Sequence, residues 1–258
     1  MIIYYSFLAF IIGSILGSFS NVCIYRLPLN KQFITGRSFC PKCKKKINWY
    51  DNLPLLSYIN LNGKCRNCKT KISFNYFLVE LISGVCALYI FLNYNNLYEI
   101  IFLQLLVIVF LIIYFVDLKH FIIPDVLNFS LIFLAFFKNF MSDFESNFIF
   151  DLNYSIIGGL LGYLIIWIII FSYKKLKNIE AMGLGDAKLM AGIGLLFGWH
   201  SVFLILFISA LLGLIYSLPD LIKNTKNLKT KIPFGPFIII STIIYYFYGG
   251  FMMKLILL

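Results

Sequence analysis

The sequence predicts an all-α polytopic membrane protein with about eight transmembrane helices and a small cytoplasmic, zinc-binding four-cysteine domain inserted after the first helix. Hydrophobic residues make up 61% of the 258-residue chain and charged residues only 13%, whereas soluble globular proteins are close to half apolar. Apolar runs recur at the length that a membrane crossing needs, about 20 residues. Two Cys-x-x-C pairs interrupt this pattern after the first run.

The first apolar run covers residues 1–25 and carries no charge. A secretory signal peptide would have a basic start, a short apolar core and a small-residue cleavage site. None of these features is present, so we expect a retained transmembrane helix. The segment 26–76 that follows holds eleven Lys and Arg residues and one acid, Asp51. Because basic loops stay on the cytoplasmic side of a membrane, we expect this segment in the cytoplasm.

The remaining apolar runs predict seven further spans. They cover 77–94, 98–116, 126–141, 154–173, 187–198, 201–218 and 234–256. As a single helix, the uncharged stretch 189–219 would be about 46 Å long, well beyond the ~30 Å of bilayer hydrocarbon. We therefore expect it to break into two helices near Gly198-Trp199-His200.

Loop charges predict the orientation of these spans. The loop 142–153 carries three acids and no Lys or Arg, so we expect it outside; the lysines at 174, 175, 177, 223, 226, 229 and 231 are expected inside. Both termini then lie outside, and Asp117, Asp125 and Asp186 lie at the cytoplasmic membrane surface. Since the basic loops account for the net charge of +11, we predict the bilayer as a partner and no nucleic acid.

The four cysteines of the polar segment form two Cys-x-x-C pairs, Cys40 with Cys43 and Cys65 with Cys68, and 21 residues separate the pairs. Four thiolates at such spacing are typical of a tetrahedral zinc site. Such a site leaves no open ligand position, so a structural role is expected. Iron also suits four cysteines, and disulfides are a further alternative, although the reducing cytoplasm disfavours them.

Two carboxylates are candidates for catalysis. Asp117 ends the run 98–116, and Asp186 closes the motif Gly183-Leu184-Gly185-Asp186. Two acids that share a site do not ionise together readily, so one can activate water while the other holds a proton. We expect the two glycines to seat Asp186 on a tight turn rather than along a helix. The alternative is that each Asp caps a helix, which is the interpretation favoured for Asp125.

Several short motifs, in order, resemble those of the bifunctional prepilin peptidases, the type IV leader peptidases that process pilins and pseudopilins. The resemblance extends over almost the whole chain. The motifs are Gly17-Ser18-Phe19-Ser20-Asn21-Val22, Arg26-Leu27-Pro28, the four cysteines, Asp51-Asn52-Leu53-Pro54-Leu55-Leu56-Ser57-Tyr58, Gly63-Lys64, Val79-Glu80, Asp117 with Ile123-Pro124-Asp125, Gly183-Leu184-Gly185-Asp186, and Ile232-Pro233-Phe234-Gly235-Pro236.

The resemblance implies an aspartic endopeptidase of the GxGD type in the bacterial cytoplasmic (inner) membrane, with Asp117 and Asp186 as the catalytic pair. It implies a basic prepilin leader as substrate, cut on the cytoplasmic side, in pilus assembly, protein secretion or competence. It also implies methylation of the new N-terminal amine with S-adenosylmethionine, for which Glu80 is a candidate residue. The expected domains are the first helix 1–25, the zinc-binding, methyl-transfer segment 26–76, and the peptidase 77–258.

Three other interpretations remain open at this stage. The protein could be a peptidase without methyltransferase activity, which mass measurement of the product would reveal. It could be a transporter, but a proton relay favours acids at mid-membrane and no predicted span has one there. It could be a non-enzymatic adaptor with a zinc ribbon, which would leave the motif at 183–186 without a role.

Overall fold

A computed structural model describes residues 2–29, 38–142, 148–177, 182–222 and 232–256, and within these ranges the regular secondary structure is helical, apart from two isolated β-bridges. The α-helices are α1 (Ile2–Arg26), α2 (Leu56–Asn60), α3 (Phe74–Asn93), α4 (Leu97–His120), α5 (Asp125–Ser142), α6 (Phe148–Lys177), α7 (Leu184–Phe197), α8 (Trp199–Ile222) and α9 (Gly235–Ile256). Single turns of 3₁₀-helix lie at Leu27–Leu29 and Trp49–Asn52. The all-α prediction is confirmed for the described residues.

Every predicted apolar run corresponds to a helix, and most of the helices extend further than the runs. The reason is that an apolar run marks the part suited to lipid, whereas backbone hydrogen bonds continue into polar sequence. Asp117 thus lies inside α4, which continues to His120. The lysines at 223, 226, 229 and 231, which predicted the orientation, lie outside the described residues, as do residues 143–147 of the acidic loop.

Six described helices, α1, α3, α4, α6, α8 and α9, are long and apolar enough to cross a membrane. The protein is therefore a multi-pass membrane protein. The other two long helices, α5 and α7, have 18 and 14 residues, which correspond to about 27 Å and 21 Å. Since both are shorter than the ~30 Å hydrocarbon layer, a total of eight spans stays a prediction.

Residues 1–112 form one compact unit, in which α1 packs closely on α3 through small residues. A Cβ atom added to Gly13 would lie 2.4 Å from the Ala87 Cβ, and one added to Gly17 would lie 2.8 Å from the Glu80 Cα. The Ser83 hydroxyl donates to the Gly13 carbonyl oxygen at 2.7 Å. The Gly-x-x-x-Gly spacing therefore lets the two backbones approach to hydrogen-bonding distance, as in other membrane helix pairs.

Residues 113–258 form the second unit, in which α5, α7 and α9 run in the same direction. The beginnings of α5 and α7 meet where Lys188 pairs with Asp125, and their far ends meet where the Lys138 ammonium donates to the Leu196 carbonyl oxygen. At that same far end the Phe197 ring of α7 contacts the Tyr245 ring, ten residues into α9. The first turns of the three helices therefore lie at the same end of this unit.

Helix α6 runs antiparallel to α7, and glycines again set the distance. A Cβ atom on Gly194 would meet the Gly158 carbonyl, and one on Gly162 would lie 2.6 Å from the Met190 carbonyl oxygen. The predicted break after α7 is confirmed, because Gly198 separates α7 from α8 with a φ of +79°. That conformation is available to glycine at little cost.

Candidate active site and four-cysteine metal site

Asp117 lies in the last turn of α4 with 4% of its surface exposed. Its Oδ2 accepts the backbone N–H of Gly235, the first residue of α9, at 3.0 Å. The first N–H groups of a helix have no partner within the helix and carry partial positive charge. The beginning of α9 therefore stabilises negative charge on a carboxylate that is otherwise buried.

Asp186 is the third residue of α7 and is 8% exposed. Its Oδ2 accepts the N–H of Gly183, the residue that caps the helix, at 3.2 Å. The prediction that Asp186 lies on a tight turn is wrong, because the helix begins two residues earlier and the carboxylate completes its first turn. Gly183 has an extended backbone with φ of −82°, so it does not use a conformation reserved for glycine.

The side chain of Ile123, in the link between α4 and α5, connects the surroundings of the two aspartates. A Cβ atom on Gly185 would lie 3.1 Å from the Ile123 Cβ, and one on Gly235 would lie 3.2 Å from its Cδ1. The two glycines therefore hold the beginnings of α7 and α9 against the same side chain. Asp117 and Asp186 are close enough for their charges to interact. The structure thus brings both predicted aspartates to one site.

Asp125 contacts a neighbouring side chain instead of capping its own helix. Its Oδ1 accepts the Lys188 ammonium at 2.6 Å, and the two side chains are 58% and 36% exposed. The N–H groups of Leu127 and Asn128 use the Pro124 carbonyl oxygen. The prediction that the Asp125 carboxylate caps α5 is therefore wrong. It forms an exposed ion pair and is much less buried than Asp117 and Asp186.

Two residues near the carboxylates, Gly235 and Asn128, had no role predicted from the sequence. The Gly235 N–H donates to the Asp117 carboxylate. The Pro-Phe-Gly-Pro motif at 233–236 is the sequence feature that could have indicated Gly235. Asn128 is 1% exposed on α5, and its Nδ2 lies 3.5 Å from the Gly185 carbonyl oxygen. Its Oδ1 has no hydrogen-bond partner within the described residues. An isolated Asn in an apolar helix could have indicated it.

The four predicted metal ligands come together in the polar segment. The Sγ atoms of Cys40, Cys43, Cys65 and Cys68 all lie within 4.8 Å of one another, and those of Cys40 and Cys68 are 3.8 Å apart. Tetrahedral zinc with bonds of about 2.3 Å requires sulfur atoms about 3.8 Å apart. All six cysteines of the chain are free thiols, so the structure has no disulfide. The donor set and its spacing fit a metal ion.

The two Cys-x-x-C pairs are built in the same way. In each, the backbone turns back so that an N–H bonds to the first cysteine's carbonyl oxygen, Lys44 to Cys40 at 2.8 Å and Lys69 to Cys65 at 2.9 Å. Both lysines are in the left-handed region, with φ of 57° and 56°. These matching turns present two pairs of sulfur atoms to one point.

A hydroxyl group supports the ionised form of one cysteine ligand. The Thr70 Oγ1 lies 2.7 Å from the Cys68 Sγ, and this hydrogen bond, with the Thr70 backbone N–H, lowers the pKa of Cys68 to about 6. Because the thiolate is the form that binds metal, this arrangement favours binding at neutral pH. Cys23 and Cys86 lie apart from the cluster, in α1 and α3.

Glu80, the candidate for methyl transfer, joins α3 to the cysteine-containing segment. It is 9% exposed, and its Oε2 accepts the Leu55 N–H at 2.9 Å. Leu55 has a φ of +61°, a conformation unfavourable for a branched side chain. Ser18 and Asn21 of α1 also hydrogen-bond to the carboxylate. Glu80 therefore lies where α1, α3 and the polar segment meet.

Comparison with protein families gives two adjacent matches. Residues 11–94 match the bacterial peptidase A24 N-terminal domain, and residues 104–218 match the type IV leader peptidase family. Asp117 and Asp186 fall within the second match, and the four cysteines and Glu80 fall within the first. No solved structure matches this chain.

Curated relatives cover nearly the full length. A protein of Vibrio cholerae named prepilin leader peptidase/N-methyltransferase is 37% identical over 252 residues, covering 94% of this chain and 96% of the relative. Proteins of the same name from Legionella pneumophila and Pseudomonas aeruginosa are 31% and 30% identical, covering 90% of this chain in each case and 88% and 86% of the relatives.

Proposed function

This chain belongs to the type IV leader peptidase family, and from that premise we propose that it cleaves the basic leader of prepilins or prepilin-like proteins and methylates the new N-terminal residue. The observation that carries the peptidase half is the pair of buried carboxylates of Asp117 and Asp186, next to the glycines Gly185 and Gly235 that lie against Ile123. The relatives' name supports both activities.

We assign peptide cleavage to Asp117 and Asp186. Both are 8% exposed or less, and burial together with mutual repulsion favours a state in which the pair keeps one proton. In that state the ionised carboxylate takes a proton from the attacking water, and the protonated one donates to the scissile carbonyl oxygen. The N–H groups of Gly183 and Gly235 hold one oxygen of each carboxylate, which leaves the other oxygen for water and substrate.

The proposed topology has eight spans in the bacterial cytoplasmic membrane, with the cysteine segment and both aspartates on the cytoplasmic side. The common direction of α5, α7 and α9 supports it, because this puts the beginnings of α7 and α9, and with them both aspartates, at one end of the second unit. A basic leader remains in the cytoplasm for the same electrostatic reason that basic loops do. Substrate and carboxylates then meet on one side of the bilayer.

For the methyl-transfer half we propose structural zinc and S-adenosylmethionine. Cys40, Cys43, Cys65 and Cys68 would hold zinc, and four ligands leave no position open for catalysis. S-Adenosylmethionine supplies the methyl group when it is bound. Glu80, at the junction of α1, α3 and the cysteine segment, is the residue that we place in this half of the function.

The test of the peptidase assignment is incubation with a prepilin and mass measurement of the product. We expect Asp117→Asn and Asp186→Asn each to lower cleavage at least 100-fold, since each variant removes a group needed for proton transfer. Asp125→Asn is the matched control, and we expect it to change cleavage less than about fivefold, because an exposed ion pair contributes at most about 1 kcal/mol. Substantial cleavage by either of the first two variants contradicts the assignment.

The same measurement separates the two proposed activities. A product that has lost its leader and gained one methyl group shows both activities. Loss of the leader without the methyl group, in the presence of S-adenosylmethionine, shows a peptidase only.

A further inference from the structure

The first unit contains a cavity of about 590 Å³ between α1, α3 and the cysteine segment. Its volume lies within the range of about 300–1,000 Å³ that is usual for small-molecule sites. Cys40 and Cys65 form part of its wall, so the metal site and the cavity share structure. The two catalytic aspartates do not line it.

Glu80 gives this cavity a buried negative charge. The other acid in the wall, Asp51, is held by three hydrogen bonds from Arg66, at 2.7 Å, 2.8 Å and 3.1 Å. Glu80 accepts hydrogen bonds from the Leu55 N–H, Ser18 and Asn21, and no Lys or Arg among the described residues forms an ion pair with it. A buried carboxylate without a cation is costly. Glu80 is therefore the position in the cavity wall that is suited to a positively charged group of a ligand.

Aromatic side chains supply a second recognition element. Tyr25, Phe39, Tyr58 and Tyr76 line the cavity, and the rings of Tyr25 and Phe39 lie edge to face with centroids 6.4 Å apart. Such surfaces bind flat heterocycles by stacking and edge contacts. Six basic side chains also line the cavity, namely Arg26, Lys42, Lys45, Lys46, Arg66 and Lys71. The four lysines among them are exposed and are suited to a carboxylate.

We propose that this cavity is the binding site of the methyl donor, with the cationic end of S-adenosylmethionine against Glu80 and its adenine among the aromatic side chains. This inference rests on the proposed methyltransferase function. The donor combines a sulfonium, an ammonium, a carboxylate and a flat base, and the cavity offers a complement to each. The metal site fixes the part of the cavity wall that the cysteine segment forms.

The experiment measures equilibrium binding of S-adenosylmethionine to the purified full-length protein, with no prepilin present. We expect Glu80→Gln to weaken binding at least tenfold, because a neutral amide replaces the charge that faces the cation. Val22→Trp, which adds bulk to the cavity wall without changing charge, should weaken binding to a similar extent. Glu99→Gln is the matched control, since Glu99 is exposed in the first turn of α4, and it should leave binding unchanged. Helix content by circular dichroism checks that each variant is folded.

S-Adenosylhomocysteine, which lacks the sulfonium charge, shows which cationic group faces Glu80. If Glu80→Gln weakens binding of both compounds equally, the carboxylate faces the donor's ammonium; if it weakens only S-adenosylmethionine, it faces the sulfonium. Unchanged donor binding in the folded Glu80→Gln and Val22→Trp variants overturns the inference. The same result is expected if Glu80 binds the ammonium of the cleaved pilin and not the donor. No donor binding by the unmodified protein instead contradicts the proposed methyltransferase function.

Discussion

Asp117 and Asp186 are buried acids in a largely apolar protein, and the beginning of a helix stabilises each of them. Asp117 accepts an N–H from the start of α9, and Asp186 accepts one from the residue that caps α7. Unpaired N–H groups and the helix dipole offset part of the cost of burying charge. The sequence indicated both aspartates, but it could not show that a distant Gly-Pro pair at 235–236 provides the partner for Asp117.

At the residue scale, the close approach of α9 to Asp117 makes Gly235 sensitive to the smallest substitution. A Cβ atom there would lie 2.8 Å from the Asp117 Oδ2, so Gly235→Ala must displace the carboxylate or the helix. Because displacements of about 1 Å at a catalytic group can cost about 100-fold, we expect cleavage to fall 10- to 100-fold. The measurement is the rate of prepilin cleavage at saturating substrate.

Gly250, in the same helix, is the control for this substitution. A Cβ atom added there has no neighbour within 4 Å, so Gly250→Ala should cleave at the unmodified rate. Equal cleavage rates in the two variants would show that the geometry around Asp117 does not depend on the absence of a side chain at residue 235.

At the scale of helices, the apolar runs predicted where the helices lie but not how closely they pack. The break at Gly198 followed from length and loop charge, because one helix across 189–219 would be too long for the bilayer and would put the following lysines outside. The predicted alternation of the spans already implied one direction for α5, α7 and α9, but the close contacts of α1 with α3 and of α6 with α7 depend on which small residues face each other, and that is set by tertiary contacts. The position of Asp186 within a helix was missed because two glycines also fit a turn.

The contact between α6 and α7 predicts a strong effect of a single methyl group. A Cβ atom on Gly194 would clash with the Gly158 backbone carbonyl, and the backbone cannot yield without separating the helices. We expect Gly194→Ala to lower the melting temperature of the purified protein by several degrees, since overpacking costs about 1–3 kcal/mol. Cleavage should fall as well, because α7 carries Asp186.

Gly213 in α8 provides the matched comparison for this helix pair. An added Cβ would make only ordinary contact with the Phe237 ring, at 3.7 Å, so Gly213→Ala should leave the melting temperature unchanged or raise it slightly. A melting temperature for Gly194→Ala as high as that for Gly213→Ala would contradict the proposed role of close packing.

At the scale of the whole molecule, the chain divides into two compact units, residues 1–112 and 113–258. The expected domains were 1–25, 26–76 and 77–258. These functional domains stay a prediction. By packing alone, the first helix, the cysteine segment, α3 and most of α4 form one unit, because α1 packs on α3 across the segment between them. Apolar runs resemble one another in sequence, so only tertiary contacts could show which helices belong together.

Because of this division, we expect the metal to support binding of the methyl donor and not prepilin cleavage. The four cysteines and the donor cavity lie in the first unit, whereas Asp117, Asp186 and the glycines that hold them lie in the second. Metal analysis should find about one zinc per chain, bound by four thiolates.

Removal of that zinc with a chelator releases the two Cys-x-x-C turns from each other and opens the cavity wall. Donor binding should therefore be lost, while prepilin cleavage continues at a rate within about threefold. Re-addition of zinc should restore donor binding. Loss of cleavage in parallel with donor binding would show that the peptidase site depends on the metal, and a protein without metal that binds the donor normally would show that the cysteine turns do not form the cavity wall.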